Sequence, residues 1–391
     1  MAQNAIMVPQ SKDEKAGINS RKYEHRLGIE NRMAYVFPTK SFFQGEESLE
    51  LTSFSYSPHL RFSFHLPAHS PLKPLYGDSY WGIGLSQFYF GNKNELGNPF
   101  ALYIFQGTRL ASLGRKIQLN FEWNFGVSGG WQPYDIENNP NNKVVGSRFN
   151  AYINTGLVLN WQLSDFVSME LGSDLTHFSN GNTQYPNSGL NMVGGKLGIT
   201  YKLDTRSQLP KAAQSVAEFQ PHISYDVIAY GSWRKKGVEV YGSKIPSPYT
   251  YTVMGMNLSA LYNFTYKFRA GLSLDPLYDG SANVYGEPII VGPREPNPGP
   301  IIVQPPFGNR LALGLSARSE LVLPVFTIGM GIGRNVLRGG KDFDGTYQVF
   351  WVKARTSKTS FIHVGYNLKD FEEANFLMLG LGFTLNNQRP D

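Results

Sequence analysis

Three residues near the middle of the sequence carry the functional groups of a serine hydrolase. Ser179 supplies a hydroxyl nucleophile, His177 a general base, and Asn191 an amide that can fix the tautomer and orientation of an imidazole. The side chain of Asn180 and the backbone N–H of Gly181 are candidate donors for an oxyanion pocket. This pattern predicts a hydrolytic site. The non-catalytic interpretation is that these polar residues simply meet headgroups and water at a membrane surface.

The alternation of residue types around these positions predicts where the side chains point. Along the hairpin 165–203, His177, Ser179 and Asn191 share the odd positions with mostly apolar residues, and the even positions are mainly small or polar. A symmetric hairpin would place Ser179 opposite Asn191, with His177 one diagonal step away. We therefore expect all three side chains on a lipid-facing surface, where an unpaired polar group is costly and needs a reason.

Alternating segments of this kind recur along most of the chain. Between residues 27 and 386 the sequence predicts sixteen strands, with fourteen as the alternative count, separated by turns that are mostly short on one side and long on the other. We expect an all-β fold: one closed antiparallel transmembrane barrel of 14–16 strands over residues 26–391, preceded by a mobile leader over residues 1–25. The long connections 67–77 and 204–218 depart from the pattern, because they fall on the side of the short turns.

Composition supports an outer-membrane protein and excludes several other classes. The 391 residues include 41 glycines, 14% aromatics and no run apolar enough for a transmembrane helix. The chain has no cysteine, so a disulfide scaffold and thiolate metal sites are excluded. The N-terminus lacks a secretory signal pattern. We therefore expect a mature exported chain, located in the bacterial outer membrane, whose signal peptide has been removed.

The remaining ionisable residues suggest no cofactor and no metal. His59, His65 and His69 lie close together in the sequence without a carboxylate at ligand spacing. The net charge of +6 is interpreted as loop charge facing solvent or anionic lipid, since no nucleic-acid module is recognisable and no nucleic-acid partner is expected. Glu30, Glu24 or a loop carboxylate could add an acidic group to the site, if the first strand closes near it.

The residues His177, Phe178, Ser179 and Asn180, followed by the run from Pro186 to position 191, resemble the lipid A 3-O-deacylase (PagL-type) family. The resemblance implies an outer-membrane serine esterase that removes the 3-linked acyl chain of lipid A. It also implies that His177 is the base, Ser179 the nucleophile and Asn180 an oxyanion-hole residue. The sequence departs from the family at position 191, where it has asparagine in place of glutamate, which puts activity in doubt.

Close matching covers only residues 165–203. The eight strands up to residue 203 would equal the family's whole small barrel, so residues 204–391 make the chain resemble longer, Bacteroidetes-like barrels of this type. The first hypothesis is therefore an esterase acting on lipid A, with lipopolysaccharide and outer-membrane lipids as partners. The second is a catalytically silent barrel that serves as a structural subunit among other outer-membrane proteins. A porin-like channel is the third.

Overall fold

The computed structural model describes residues 23–38, 52–67, 70, 72–142, 144–203, 218–240, 243–287, 300–371 and 373–388. The expected leader 1–25 therefore lies almost entirely outside the described residues, although Glu24 and His25 belong to the first strand. His69 and most of the 204–218 connection also lie outside them. Among the described residues, no helix is long and apolar enough to cross a membrane.

Eight antiparallel strands form a first closed barrel, which we call the N-terminal barrel. Its last strand, β8 (Leu190–Lys202), closes it by pairing with its first, β1 (Glu24–Val36), from Arg26 opposite Lys202 to Val36 opposite Met192. A four-residue helix, α1 (Lys73–Tyr76), interrupts the long connection between β2 and β3. The strands are β1 (Glu24–Val36), β2 (Phe54–His65), β3 (Tyr80–Gln87), β4 (Gly97–Ser112), β5 (Ile117–Trp131), β6 (Phe149–Gln162), β7 (Val167–Ser179) and β8 (Leu190–Lys202).

A second set of eight strands closes separately into the C-terminal barrel, in which the last strand pairs with the first. Its strands are β9 (His222–Arg234), β12 (Tyr251–Asn263), β13 (Phe268–Asp279), β16 (Leu311–Val322), β17 (Phe326–Arg338), β18 (Thr346–Arg355), β19 (Ser360–Lys369) and β20 (Glu373–Leu385). Two short hairpins extend its loops, one formed by β10 (Gly237–Val240) and β11 (Ser243–Pro246), the other by β14 (Tyr285–Glu287) and β15 (Ile301–Val303). Short 3-10 turns span Phe307–Arg310 and Lys341–Phe343.

The single barrel expected over residues 26–391 is thus replaced by two barrels that together contain sixteen strands. The strand number and the antiparallel transmembrane character agree with the sequence-based expectation, but the closure does not. Alternation and turn spacing are local signals, and they are the same whether the eighth strand pairs with the first or with the ninth. The connection 204–218, which broke the pattern of short turns, joins the two barrels.

Side chains fill the interior of both barrels, as eight strands allow. In the N-terminal barrel, the Arg61 guanidinium donates to the carboxylates of Glu30 at 2.7 Å, Glu122 at 2.5 Å and Glu170 at 3.2 Å. Lys196 adds a bond to Glu122 at 2.7 Å. Because these charges cross-link opposite walls, the lumen is packed with bonded side chains, which argues against the porin-like hypothesis.

The C-terminal barrel repeats this arrangement with different residues. Arg269 bonds Asp226 at 2.7 Å and Glu320 at 2.6 Å, and the Lys353 ammonium bonds the same two carboxylates. In both barrels the outward positions are apolar and exposed, for example Ile29 and Met33 in β1. A buried charged interior and an apolar outer wall are typical of a transmembrane barrel that is surrounded by lipid.

The outer walls of the two barrels meet side by side. Trp123 on β5 packs edge-on against Phe326 on β17, with ring centroids 5.6 Å apart. At the other end, the loop after β7 bonds the C-terminal barrel, because Asn182 donates to the backbone oxygen of Asn375 at 3.3 Å and accepts from the backbone N–H of Lys235 at 3.3 Å. We call this the site end; it also bears the longer loops of both barrels.

Candidate functional site

The three predicted triad residues lie on the outward face of the N-terminal barrel, as the alternation predicted. On β7, His177 and Ser179 share this face with Leu171 and Leu175, which are both more than half exposed. The intervening residues Glu170, Asp174 and Thr176 are buried in the lumen. Asn191 occupies the same outward face of β8, on which Leu197 is exposed.

The register differs from the symmetric hairpin that the sequence suggested. His177, not Ser179, pairs directly with Asn191, and Phe178 pairs with Leu190. Ser179 pairs instead with Ala151 of β6 on its other side. A shift of two residues leaves every side chain on its original face, so alternation fixes the face but cannot fix this register. The shift places the amide of Asn191 directly beside the imidazole.

His177 and Asn191 are joined by a hydrogen bond of 2.7 Å between imidazole Nδ1 and amide Oδ1. An amide oxygen only accepts, so this orientation of the amide assigns the ring hydrogen to Nδ1 and leaves Nε2 as an acceptor. The ring edge extends toward Gly189, because Nε2 lies 3.6 Å from the position that a Cβ on Gly189 would occupy. Extending the register by one pair sets Gly189 opposite Ser179, and Nε2 is therefore directed to the level of the serine.

The Ser179 side chain is 7% exposed and forms no hydrogen bond within the described part of the chain. Residues two apart on a strand, such as His177 and Ser179, lie roughly 6.6 Å from each other on the same face. The imidazole of His177 spans part of this distance toward Ser179. Ser179, His177 and Gly181 line one cavity of about 490 Å³. Gly181 has a φ of 64°, a conformation that glycine adopts without strain.

The proposed oxyanion residue Asn180 is held by its own loop. Its amide nitrogen donates to the backbone oxygen of Gln184 at 3.0 Å, and its backbone N–H donates to Asn187 Oδ1 at 2.9 Å. Asn187 in turn donates to Asn182 Oδ1 at 3.2 Å. Asn180 does not line the cavity, whereas Gly181 does. Of the two predicted oxyanion donors, the structure brings Gly181 to the cavity and ties Asn180 to the loop.

Neither candidate for a replacement acid reaches the imidazole. Glu30 points into the lumen, where it bonds Arg61, and Glu24 is the first residue of β1, at the end away from the site, where Lys202 bonds it at 3.0 Å. His59 is also a lumen residue, bonded through Nδ1 to the Tyr103 hydroxyl at 2.8 Å. Within the described ranges, no group of three or more histidine or acidic residues could hold a metal ion.

Two family models match the chain, one over most of the N-terminal barrel and one over the C-terminal barrel. A model described as lipid A 3-O-deacylase (PagL) matches residues 42–200, and one described as acyloxyacyl hydrolase, C-terminal domain, matches residues 223–387. Together they span most of the sequence. The chain belongs to the PagL family. It is accordingly a barrel protein of the bacterial outer membrane.

Solved structures also match, at low identity. Neisserial surface protein A is 7% identical, with 46% of this chain and 97% of that chain covered and a TM-score of 0.32. The outer membrane enzyme PagL is 15% identical, with 44% and 97% covered and a TM-score of 0.28. The siderophore receptor PirA from Acinetobacter baumannii is 9% identical, with 94% and 69% covered and a TM-score of 0.24. No curated protein matches by sequence.

Sequence reasoning about this PagL-family chain gave no role to residues that the structure places at the site. Gly189 lies against the His177 ring and has a φ of 74° just before β8; the sequence signal for such a conformation is the glycine itself. Tyr366 and Leu377 of the C-terminal barrel line the same cavity as Ser179. No local signal could have found these two, because they come from a separately closed sheet.

Proposed function

We propose that the protein is an outer-membrane serine esterase that hydrolyses an ester-linked acyl chain of lipid A. The observation that carries the proposal is the 2.7 Å bond from His177 Nδ1 to Asn191 Oδ1, on the same outward face as Ser179 and beside an apolar cavity. A nucleophile, a base and a group that orients the base are the parts that acyl transfer needs. The match to the family described as lipid A 3-O-deacylase supports lipid A as the substrate and its 3-O-linked chain as the one removed.

The reaction proceeds in two steps. In the first, Ser179 Oγ attacks the ester carbonyl while its proton passes to His177 Nε2. The C–O bond to the sugar then breaks, and the imidazolium returns that proton to the leaving sugar oxygen. In the second, water attacks the acyl-serine with His177 again as base, which releases the fatty acid and regenerates the serine hydroxyl. In this scheme the backbone N–H of Gly181 stabilises the developing oxyanion.

Asn191 sets the expected efficiency of this site. Its amide orients the imidazole, but it carries no charge to stabilise the imidazolium that forms during attack. We therefore expect slow turnover. The same residue favours the second candidate function, a catalytically silent barrel that acts as a structural subunit of an outer-membrane protein complex.

The experiment that tests the proposal is mass spectrometry of lipid A from cells with and without the protein. We expect the wild type to remove one acyl chain and Ser179→Ala to abolish the removal. Ser173→Ala is the matched control, because Ser173 lies on the same outward face of β7 and is exposed. If acyl loss persists in Ser179→Ala, the site assignment is wrong.

Unchanged lipid A in cells with normal levels of wild-type protein would overturn the esterase proposal. Gentle detergent extraction then tests the silent-subunit alternative. A structural subunit should recover other envelope proteins in a fixed ratio, and a lone monomer would count against that role.

A further inference from the structure

The cavity at Ser179 is a groove between the two barrels. One wall comes from the outward face of β5, β6 and β7, with Phe125 and Ile153 beside His177. The opposite wall comes from the outward face of the C-terminal barrel, with Met330 and Phe350. Its volume of about 490 Å³ is in the range of sites that bind small ligands, and its lining is mainly apolar. Both walls belong to surfaces that face hydrocarbon elsewhere on the molecule.

A polar group of the C-terminal barrel lies at the site end of this groove. The Tyr366 ring is 3.5 Å from the position that a Cβ on Gly181 would occupy, and Leu377 is 3.3 Å from it. The Tyr366 hydroxyl is buried and has no hydrogen-bond partner within the described ranges. A buried hydroxyl without a partner costs free energy. Tyr366 has such a hydroxyl and contacts Gly181, which is two residues from the nucleophile Ser179, so a bound ligand is its expected partner.

We propose that the groove binds the acyl chain of the ester being cleaved, and that the Tyr366 hydroxyl donates a hydrogen bond to a polar oxygen of that bound lipid. The C-terminal barrel then forms half of the substrate site. The identity of the ligand rests on the esterase function proposed above. The occupant is an acyl chain, because the walls are apolar and continuous with the lipid-facing surface, and because the hydrolytic groups lie at one end of the groove.

Chain-length selectivity tests the groove. In Met330→Trp the larger side chain fills the groove, and Met254→Trp is the matched control, since Met254 is similarly exposed on β12 but lies outside the groove. With 4-nitrophenyl esters in detergent micelles, we expect Met330→Trp to lower the ratio of the dodecanoate rate to the butanoate rate about tenfold or more, and Met254→Trp to keep the wild-type ratio. An unaltered chain-length profile in Met330→Trp would overturn the groove as the acyl site.

Tyr366→Phe tests the hydroxyl. The ring and its packing remain, so we expect kcat/KM for both esters to fall about tenfold, the cost of one lost substrate hydrogen bond. The urea midpoint should stay the same or rise, because the variant removes an unpartnered buried hydroxyl. A purely structural tyrosine would instead lower the midpoint, and unchanged kinetics would remove Tyr366 from the substrate site.

A binding measurement separates this proposal from the esterase function. Ser179→Ala protein in nanodiscs is exposed to a phospholipid with a diazirine near the end of its acyl chain, and photo-crosslinked residues are mapped by mass spectrometry. We expect enrichment at Met330 and Phe350 over Met254, and loss of the Phe350 enrichment in Ser179→Ala/Met330→Trp. If wild-type protein hydrolyses neither ester, the esterase proposal fails; if crosslinking at Met330 and Met254 is equal, the groove proposal fails.

Discussion

The α-carbon of Gly189 lies against the edge of the His177 ring: a methyl group on it would be 2.8 Å from Cε1 and 3.1 Å from the backbone oxygen of Phe178. Gly189 also has a φ of 74°, in the left-handed region. The imidazole can therefore occupy this position only because residue 189, just before β8, has no side chain.

Gly189→Ala should displace the imidazole from its bond with Asn191. The methyl group has no room beside the ring, and the left-handed backbone costs alanine about 1–2 kcal/mol. We expect esterase activity to fall at least about tenfold, since small misplacements of catalytic groups are expensive. Ester hydrolysis and heat-modifiable mobility on gels measure activity and barrel integrity separately.

Gly195→Ala is the control for that substitution. Gly195 is also an outward residue of β8, but the nearest atom to a Cβ there is the backbone oxygen of Gly172 at 3.8 Å. This variant should keep both activity and folding. Full activity in Gly189→Ala would show that the observed ring position is not required for hydrolysis.

Asn191→Glu should raise the turnover rate. A carboxylate in place of the amide keeps an acceptor for the Nδ1 hydrogen and adds a negative charge that stabilises the imidazolium formed during attack. In a serine protease the reverse change, from acid to amide, costs about 10⁴ in turnover. We expect a gain of at least about tenfold, measured as hydrolysis of 4-nitrophenyl dodecanoate.

Asn191→Ala removes the acceptor altogether and should fall below wild type. If Asn191→Glu and Asn191→Ala both match wild type, residue 191 does not act on the base. A rate gain that is confined to Asn191→Glu would instead explain slow turnover in the natural sequence by the missing charge.

The outward face of the site was predictable from sequence, but its register was not. Period-two alternation is a property of single strands, so it correctly put His177, Ser179 and Asn191 on the apolar face. The pairing of His177 with Asn191 depends on how the loop 180–189 closes, and a shift of two residues is invisible to alternation. The sequence-based hairpin therefore had the right face and the wrong partner.

Closure of the sheet depends on contacts that are distant in sequence. The pairing of β1 with β8, and of β20 with β9, decides that two small barrels form where one large barrel was expected. The groove that Met330 and Tyr366 share with Ser179 follows from the placement of these barrels side by side. No pattern within either half of the chain encodes that placement, so the second wall of the site could not be predicted.

Arg61→Met should destabilise the N-terminal barrel strongly. Arg61 bonds three buried carboxylates, and its loss leaves Glu30, Glu122 and Glu170 with fewer cations in a closed lumen. Removing one partner from a buried charge network typically costs about 3–5 kcal/mol. Urea unfolding from lipid vesicles, followed by gel mobility, should show the loss.

The control for Arg61 is a similar substitution at the barrel surface. Arg109 pairs with Asp78, and both side chains are partly exposed. Arg109→Met should change the free energy of unfolding by less than about 1 kcal/mol, as exposed pairs do. Equal effects of the two substitutions would mean that the lumen network adds nothing beyond a surface ion pair.

Asp342 should make the loops at the site end of the C-terminal barrel sensitive to acid. Burial would raise the pKa of its carboxyl group, but the Lys236 ammonium and the backbone N–H of Asn283 hold that pKa below the ordinary 3.8. A lowered folded-state pKa contributes stability that is present above the ordinary value and is lost as the pH falls through the lowered one. The side chain is 40% exposed, so we expect less than about 1 kcal/mol.

Hydrogen–deuterium exchange of the β10–β11 hairpin measures this contribution. At neutral pH, Asp342→Asn should exchange faster than wild type, because the ion pair with Lys236 is gone. The difference should shrink as the pH falls from 3.8 through the lowered pKa of Asp342, where the folded wild type also loses this charge. Asp344→Asn removes a more exposed pair with Arg338 in the same loop and should leave the hairpin unchanged. A difference between Asp342→Asn and wild type that is independent of pH would assign the effect to packing of the amide and not to the charge.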